Sequence, residues 1–258
     1  DSDPPALGIF AQYRYHPAHR SSGGHVTMVL VIGVAGSIAT GKSTACEVIV
    51  SQGAHHCDAD RLVHRLYDRG TDAFDRIVTI FGNEIVGDDG YIDRRILGGK
   101  VFGKPEEMNK LTTAIGSISD AVKGVVNEWR ETLGPDDVAL MEAVNLIEAG
   151  YGQWCDQVWL FACDEDIARQ RLAARNQLST EEVEKRLASQ RSWEDRAIAS
   201  DIVMMNNGTE DDFKRQVRNQ YRSIIQLAQA GELETSKYND WWKEYVRERE
   251  AQKTESSD

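Results

Sequence analysis

The sequence predicts an α/β protein built on a doubly wound parallel sheet flanked by helices. Three observations carry that expectation. Residues 29–34, VLVIGV, form an uninterrupted apolar run, as a parallel strand covered on both faces requires. That run leads into GSIATGKST, residues 36–44, which satisfies G-x-x-x-x-G-K-[ST] and precedes a helical pattern, the context in which such a loop wraps phosphate. Further along, short apolar runs alternate with helical stretches, the order expected of a parallel sheet. Together they specify a P-loop NTPase-type core.

The elements follow in order. Residues 1–27 hold three of the five prolines and a Gly-Gly pair without sustained periodicity; they read as a disordered leader, with Met28 as the native start. After the strand and loop, Lys42 to Gln52 reads as a helix ended by Gly53. AHHCDAD, residues 54–60, is a short second strand followed by a helix to about Asp68. Residues 71–133 are mostly helical, with a turn at GDDG, residues 87–90. Val138–Met141 and Val158–Ala162 are strands. Asp164–Arg175 and Ser179–Arg191 are helices, the second opened by the capping box Ser179-Thr180-Glu181-Glu182. DIVMM at 201–205 is a last strand, and 209–228 a last core helix. From Gly231 an amphipathic helix bearing Trp241, Trp242 and Tyr245 is expected to pack back on the core, with its end frayed. The organisation is therefore a leader (1–27), a P-loop α/β domain (28–228) and a C-terminal helical extension (229–258). Within the domain, about 70–133 is a helical region and about 164–192 a helical hairpin.

Composition narrows the function. Thirty Lys and Arg against 42 Asp and Glu give a net charge of −12, which argues against a broad grip on nucleic acid. No window approaches the ~18 consecutive apolar residues of a membrane span. Four cysteines without a C-x-x-C pair read as reduced thiols of a cytoplasmic protein. His55, His56, Cys57 and Asp58 look like a ligand cluster. Adjacent residues of a strand face opposite ways, so at most half of them would converge on one metal.

The phosphate loop needs specific residue types. Gly36 and Gly41 let the backbone turn inward, so that Ser37, Ile38, Ala39 and Thr40 cradle phosphate through their amides. The helix that follows adds its positive end. Lys42 supplies a cation for the β- and γ-phosphates of ATP, Ser43 a hydroxyl for Mg²⁺, and Thr44 a packing or capping hydroxyl. Asp58 and Asp60 stand at the end of the second strand, where open α/β sheets bind ligands. One is expected to cap the next helix and the other to act as base or metal contact, with Asp60 favoured as base and Asp58 able to meet Mg²⁺. His64, one turn on, either faces the acceptor or is a solvated helix histidine. Arg169, Arg171, Arg175, Arg186 and Arg191 lie on the helical hairpin; several are solvated partners of nearby glutamates, while Arg175 and Arg186 are picked as lid contacts to phosphate. A guanine-reading N-K-x-D is missing, since Asn109-Lys110-Leu111-Thr112 lacks the Asp.

The succession VIGVAGSIATGKST, CDADRLVH, DGYIDRRILGGKVFGKPEEMNKL, EAVNLIEAG, LAARNQLSTEEVEKRLASQ and SDIVMMNNGT resembles the dephospho-CoA kinase family from about Val29 to Gln226. The resemblance implies transfer of the ATP γ-phosphate to the ribose 3′-hydroxyl of dephospho-CoA, the last step of coenzyme A synthesis, by a P-loop core with a helical substrate-binding region, about 70–133, and a small helical lid, about 164–192. A monomer or weak homo-oligomer is expected. It also implies that Asp60 is the base, that residues 85–130 help hold dephospho-CoA, that Asn207 joins the nucleotide contacts, and that Glu148 and Arg186 lie with Asp58 and His64 on the substrate side. The chain departs from the family at Gly116-Ser117, usually His-Pro, at Asp120, usually Arg, and at Glu142 and Asn145 in the segment after the third strand. Other readings of the same features are a nucleoside or nucleotide kinase, or a nucleotide-binding homologue with weakened catalysis.

Overall fold

A computed structural model describes residues 28–176, 179–188 and 190–255. The expected leader, 1–27, lies outside the described residues. The described chain divides into two compact units, one from Ala59 to Val125 and one made of the segments before and after it.

The larger unit holds a five-stranded sheet in which every neighbouring pair is parallel: β1 (Leu30–Gly36), β2 (His55–Asp58), β3 (Val138–Glu142), β4 (Gln157–Ala162) and β5 (Ile202–Met205), in the order β2-β3-β1-β4-β5. All seven residues of β1 are buried, as its continuous apolar run predicts for a central strand. One face of the sheet packs on α1 (Lys42–Val50) and α10 (Glu210–Ala230). There Ile32, Val34, Leu140, Trp159 and Phe161 meet Ile49, Phe213 and Val217. From β1 the chain runs out to β2, whereas from β4 it runs to β5 on the other side. The strand order reverses there, and the P-loop leaves the carboxyl end of β1 at that reversal, where such sheets hold ligands.

The hairpin is formed by α7 (Glu165–Asn176) and α8 (Thr180–Ala188), whose capping box closes as expected: the Ser179 amide donates to Glu182 Oε2 at 2.9 Å and the Glu182 amide to Ser179 Oγ at 3.3 Å. A further short helix, α9 (Trp193–Ala197), follows, capped by Ser192. The tail helix α11 (Tyr238–Glu255) packs back on the core as anticipated. Tyr238 is fully buried and donates its hydroxyl to the Ile147 carbonyl at 2.6 Å, and Asp201 fixes the approach by accepting from the Ser236 hydroxyl at 2.7 Å.

The smaller unit is helical, as predicted: α2 (Ala59–Leu66), α3 (Asp72–Phe81), α4 (Arg94–Val101), α5 (Pro105–Ile115) and the start of α6 (Ile118–Thr132). It has its own core, in which Ile77, Phe81, Ile85, Leu97 and Ala114 are buried. The departures from the family pattern have local uses here. Gly116 ends α5, and Ser117 Oγ accepts the Asp120 amide at 3.0 Å to start α6. Among the described residues, no helix is long and apolar enough to cross a membrane.

Candidate active site

The P-loop is set by close contacts that only its residue types permit. Gly36 ends β1 beneath the loop: a Cβ there would lie 2.7 Å from the Phe161 carbonyl oxygen and 2.8 Å from Thr40 Oγ1. Gly41 takes φ +92° before the first turn of α1, and a Cβ on it would meet Asn206 Nδ2 at 2.3 Å. Ala39 also adopts a positive φ, 64°, unusual for a residue with a side chain. The loop is then fastened from several directions. Thr40, buried, donates to the Ser37 carbonyl at 2.9 Å; Asn206 Nδ2 donates to the Thr40 carbonyl at 3.1 Å; Arg171 Nη1 donates to the Ala39 carbonyl at 3.4 Å. Arg171 also holds Asn206 Oδ1 at 3.2 Å. Ser37 Oγ accepts from Arg196 Nη1 at 3.0 Å, and Arg196 in turn donates to Glu148 Oε1 at 2.7 Å.

Lys42 is engaged at the loop's base. Its Nζ lies 2.9 Å from Glu142 Oε1 at the end of β3, and the other carboxylate oxygen meets His56 Nε2, also at 2.9 Å. Glu142 is only 5% exposed. Burial alone would raise its carboxyl, but the His56 hydrogen bond and the Lys42 charge outweigh it and hold the group down at about 2. Neighbouring Cys46 is pushed well up, first by burial and then by Glu142. Ser43 is exposed in the first turn of α1, and Ile38 and Thr44 are half-buried beside the loop. On the flank of the loop lies a cavity of about 370 Å³ lined by Ile38, Gly41, Thr44, Arg171, Asn206 and Phe213, among others.

The remaining anticipated residues fall as follows. Asp58 ends β2, and Asp60, exposed, sits in the first turn of α2. The expectation of a shared face was conditional on an extended chain, and helix begins at Ala59 instead, because the helical pattern of ADRLVHRL takes over there. His64 Nδ1 meets the Tyr67 hydroxyl at 2.5 Å, one turn along the same helix face. Asn207 uses its Oδ1 to accept the Asp164 amide at 2.9 Å, while its neighbour Asn206 is the one that touches the P-loop. Arg186 is exposed on α8. Arg169 is bound by Glu165, Asp166 and Glu184, the solvated pairing allowed for several of these arginines. Arg175 falls in the last turn of α7; its side chain lies outside the described residues.

The loop's supports Arg171, Asn206 and Arg196 were not singled out in the sequence. Arg171 was visible only as one arginine of five, and Asn206 only as one of two adjacent asparagines. Nothing local marks Arg196: its partners Glu148 and Ser37 are 48 and 159 residues away.

Comparison with known proteins settles the family. The family model described as dephospho-CoA kinase matches residues 30–212, spanning the P-loop, the helical unit, the hairpin and β5. The chain belongs to the dephospho-CoA kinase family. It is thereby a kinase, a phosphotransferase with a hydroxyl acceptor. Curated dephospho-CoA kinases are similar over most of their length. That of Dehalococcoides mccartyi is 36% identical over 77% of this chain and 99% of its own, and that of Streptococcus pyogenes 33% identical over 76% and 98%. Solved structures share the fold. One from Thermus thermophilus has a TM-score of 0.61 at 26% identity, covering 76% of this chain and 98% of its own. A dephospho-CoA kinase from Campylobacter jejuni gives 0.54 at 22%, covering 75% and 96%. The family match ends within α10, so the dephospho-CoA kinase segment stops short of α11.

Proposed function

We propose that this kinase transfers the γ-phosphate of ATP to the ribose 3′-hydroxyl of dephospho-CoA, giving coenzyme A and ADP, in a cytoplasmic setting. The observation that carries the proposal is the P-loop itself, held by Arg171 of α7, Arg196 of α9 and Asn206 just after β5, with Lys42 engaged by Glu142 of β3, in a chain of the dephospho-CoA kinase family.

Residues 36–44 would hold the phosphates of ATP, and the cavity bounded by Arg171, Asn206 and Phe213 suits the nucleoside end. Ser43, with Asp58, would hold Mg²⁺; an exposed hydroxyl and a carboxylate are the oxygen donors that ion favours. When bound, Mg²⁺ supplies charge neutralisation on the β- and γ-oxygens. Lys42 is drawn from Glu142 to the phosphates as ATP binds. Asp60 accepts the proton of the acceptor hydroxyl. The hydroxyl oxygen bonds to the γ-phosphorus as the bond to the bridging oxygen breaks in line, and the electron pair leaves with ADP. Arg175 and Arg186 on the 164–192 lid offset charge on the transferring group and exclude water, which competes as acceptor. The acceptor rests on the 70–133 region, with His64 and Glu148 on its side of the site and Asn207 on the nucleotide's. Residues 229–258 act as an extension that supports the core.

An acceptor panel tests this: ATP and Mg²⁺ with dephospho-CoA, AMP, dTMP and a nucleoside. Dephospho-CoA is expected to turn over best by orders of magnitude. Good turnover of AMP, dTMP or a nucleoside with none of dephospho-CoA would replace the proposal with a nucleotide or nucleoside kinase, and tight ATP binding without any transfer would leave a nucleotide-binding homologue.

A further inference from the structure

Behind the P-loop lysine, three side chains of metal-binding type converge from three separate elements. Cys46 comes from the second turn of α1, His56 from β2 and Glu142 from the end of β3. One ligand atom from each, Sγ, a ring nitrogen and a carboxylate oxygen, lies within 4.8 Å of the other two. We propose that Cys46, His56 and Glu142 form a site for a thiophilic divalent cation of the Zn²⁺ kind, separate from the Mg²⁺ that accompanies ATP.

The geometry suits such an ion. Bonds of about 2.3 Å to sulfur and about 2.0–2.1 Å to nitrogen and oxygen, at tetrahedral angles, put ligand atoms roughly 3.3–3.7 Å apart. The present spacings lie close to that range: the His56–Glu142 hydrogen bond, 2.9 Å, would open slightly, and every other gap is already within 4.8 Å. Three protein ligands leave the fourth position to water, and the His56 side chain, 30% exposed, gives a route from solvent. The ligand set also selects the ion. A thiolate with an imidazole favours Zn²⁺ or Co²⁺ and is wrong for Mg²⁺, which takes oxygen ligands. Charge balances too: as the sulfur–metal bond forms, the Cys46 proton passes to water, and thiolate plus carboxylate neutralise a divalent ion.

The site shares Glu142 with Lys42. An ion on the carboxylate and the Lys42 ammonium each compensate the same buried charge, so each weakens the other's hold on it. Occupancy therefore reports on where Lys42 is, and removal of the ammonium strengthens metal binding. The His55-His56-Cys57-Asp58 run brought His56 to notice, but not its partners Cys46 and Glu142. His56 leaves its sequence neighbours and meets a carboxylate 86 residues away.

Co²⁺ titration of the full chain, in the absence of nucleotide, is the test. One equivalent is expected to produce a thiolate-to-cobalt charge-transfer band and tetrahedral d–d bands, both removed by one equivalent of Zn²⁺. C46S should abolish the charge-transfer band and C57S should keep it. H56Q, at a half-exposed position, should weaken Co²⁺ binding at least about tenfold, the range that even outer-shell partners of metal ligands command. K42M should tighten it. If C46S fails to fold by circular dichroism, H56Q and K42M still decide. A wild-type protein without the band, a band that survives C46S, or affinity unmoved by H56Q would overturn the site.

Discussion

Lys42 Nζ and Glu142 Oε1 are 2.9 Å apart across 100 residues of sequence, and the carboxylate of that pair is buried. The P-loop lysine is therefore paired with a specific buried acceptor. Substituting Lys42 by Met leaves Glu142 with a weaker set of partners. Breaking such a pair typically costs about 3–5 kcal/mol, so K42M is expected to lose stability in urea denaturation as well as phosphotransfer. Equal stability of K42M and wild type would show that His56 alone compensates the carboxylate.

The same pair fixes a pH dependence. Glu142 is held at about 2 in the fold against an ordinary value of 4.5. A depressed carboxyl contributes stability that is present above its unfolded value and is lost as pH falls toward the folded one. The stability advantage of wild type over E142Q is therefore expected to be full above about pH 5 and to disappear between about pH 4.5 and 2, by roughly 2–3 kcal/mol. Parallel denaturation curves for the two proteins across pH 6 to 2.5 check it. An advantage that grows with acid would reverse the sign and refute the assignment.

Asp60 is proposed as the base. D60N keeps the size and the helix position, so ATP affinity should hold while kcat falls by about 10²–10⁴-fold. Single-turnover kinetics with saturating ATP separates the two. An unchanged kcat would return Asp60 to the role of an acidic residue in the first turn of α2, favourable to the helix end and no more.

Arg196 is nearly fully buried and joins Glu148 to the P-loop serine Ser37. R196M is expected to destabilise by about 3–5 kcal/mol, because Glu148 is left charged without its partner. The double change R196M/E148Q should recover part of that loss, a coupling of about 1–3 kcal/mol in a double-mutant cycle. Strict additivity would mean that the two residues act independently.

Tyr238 tests the tail. Y238F removes the hydroxyl given to Ile147 and should cost about 1–2 kcal/mol, whereas Y238A also leaves a cavity and should cost about 3–5 kcal/mol. Thermal melts of both variants suffice. A melting temperature unmoved by Y238A would detach α11 from the core.

By itself the sequence determined the parallel α/β core, the order of its elements, the P-loop and the family, because each is written in local pattern. Apolar runs, helical periodicity, a capping box and a nine-residue loop motif are all set by neighbours along the chain. The tertiary structure alone decided which polar groups meet: Lys42 and His56 with Glu142, Arg196 with Glu148 and Ser37, Asn206 and Arg171 with the loop carbonyls. Of the five hairpin arginines, the sequence picked Arg175 and Arg186 as phosphate contacts, and among the described side chains Arg171 holds a loop carbonyl. The reason is geometric. Neighbouring parallel strands bring residues together across long stretches of chain, and a side chain's partner is then chosen by sheet register and helix phase. Asp58 and Glu142 are register partners on β2 and β3, 84 positions apart, and no local pattern encodes that meeting.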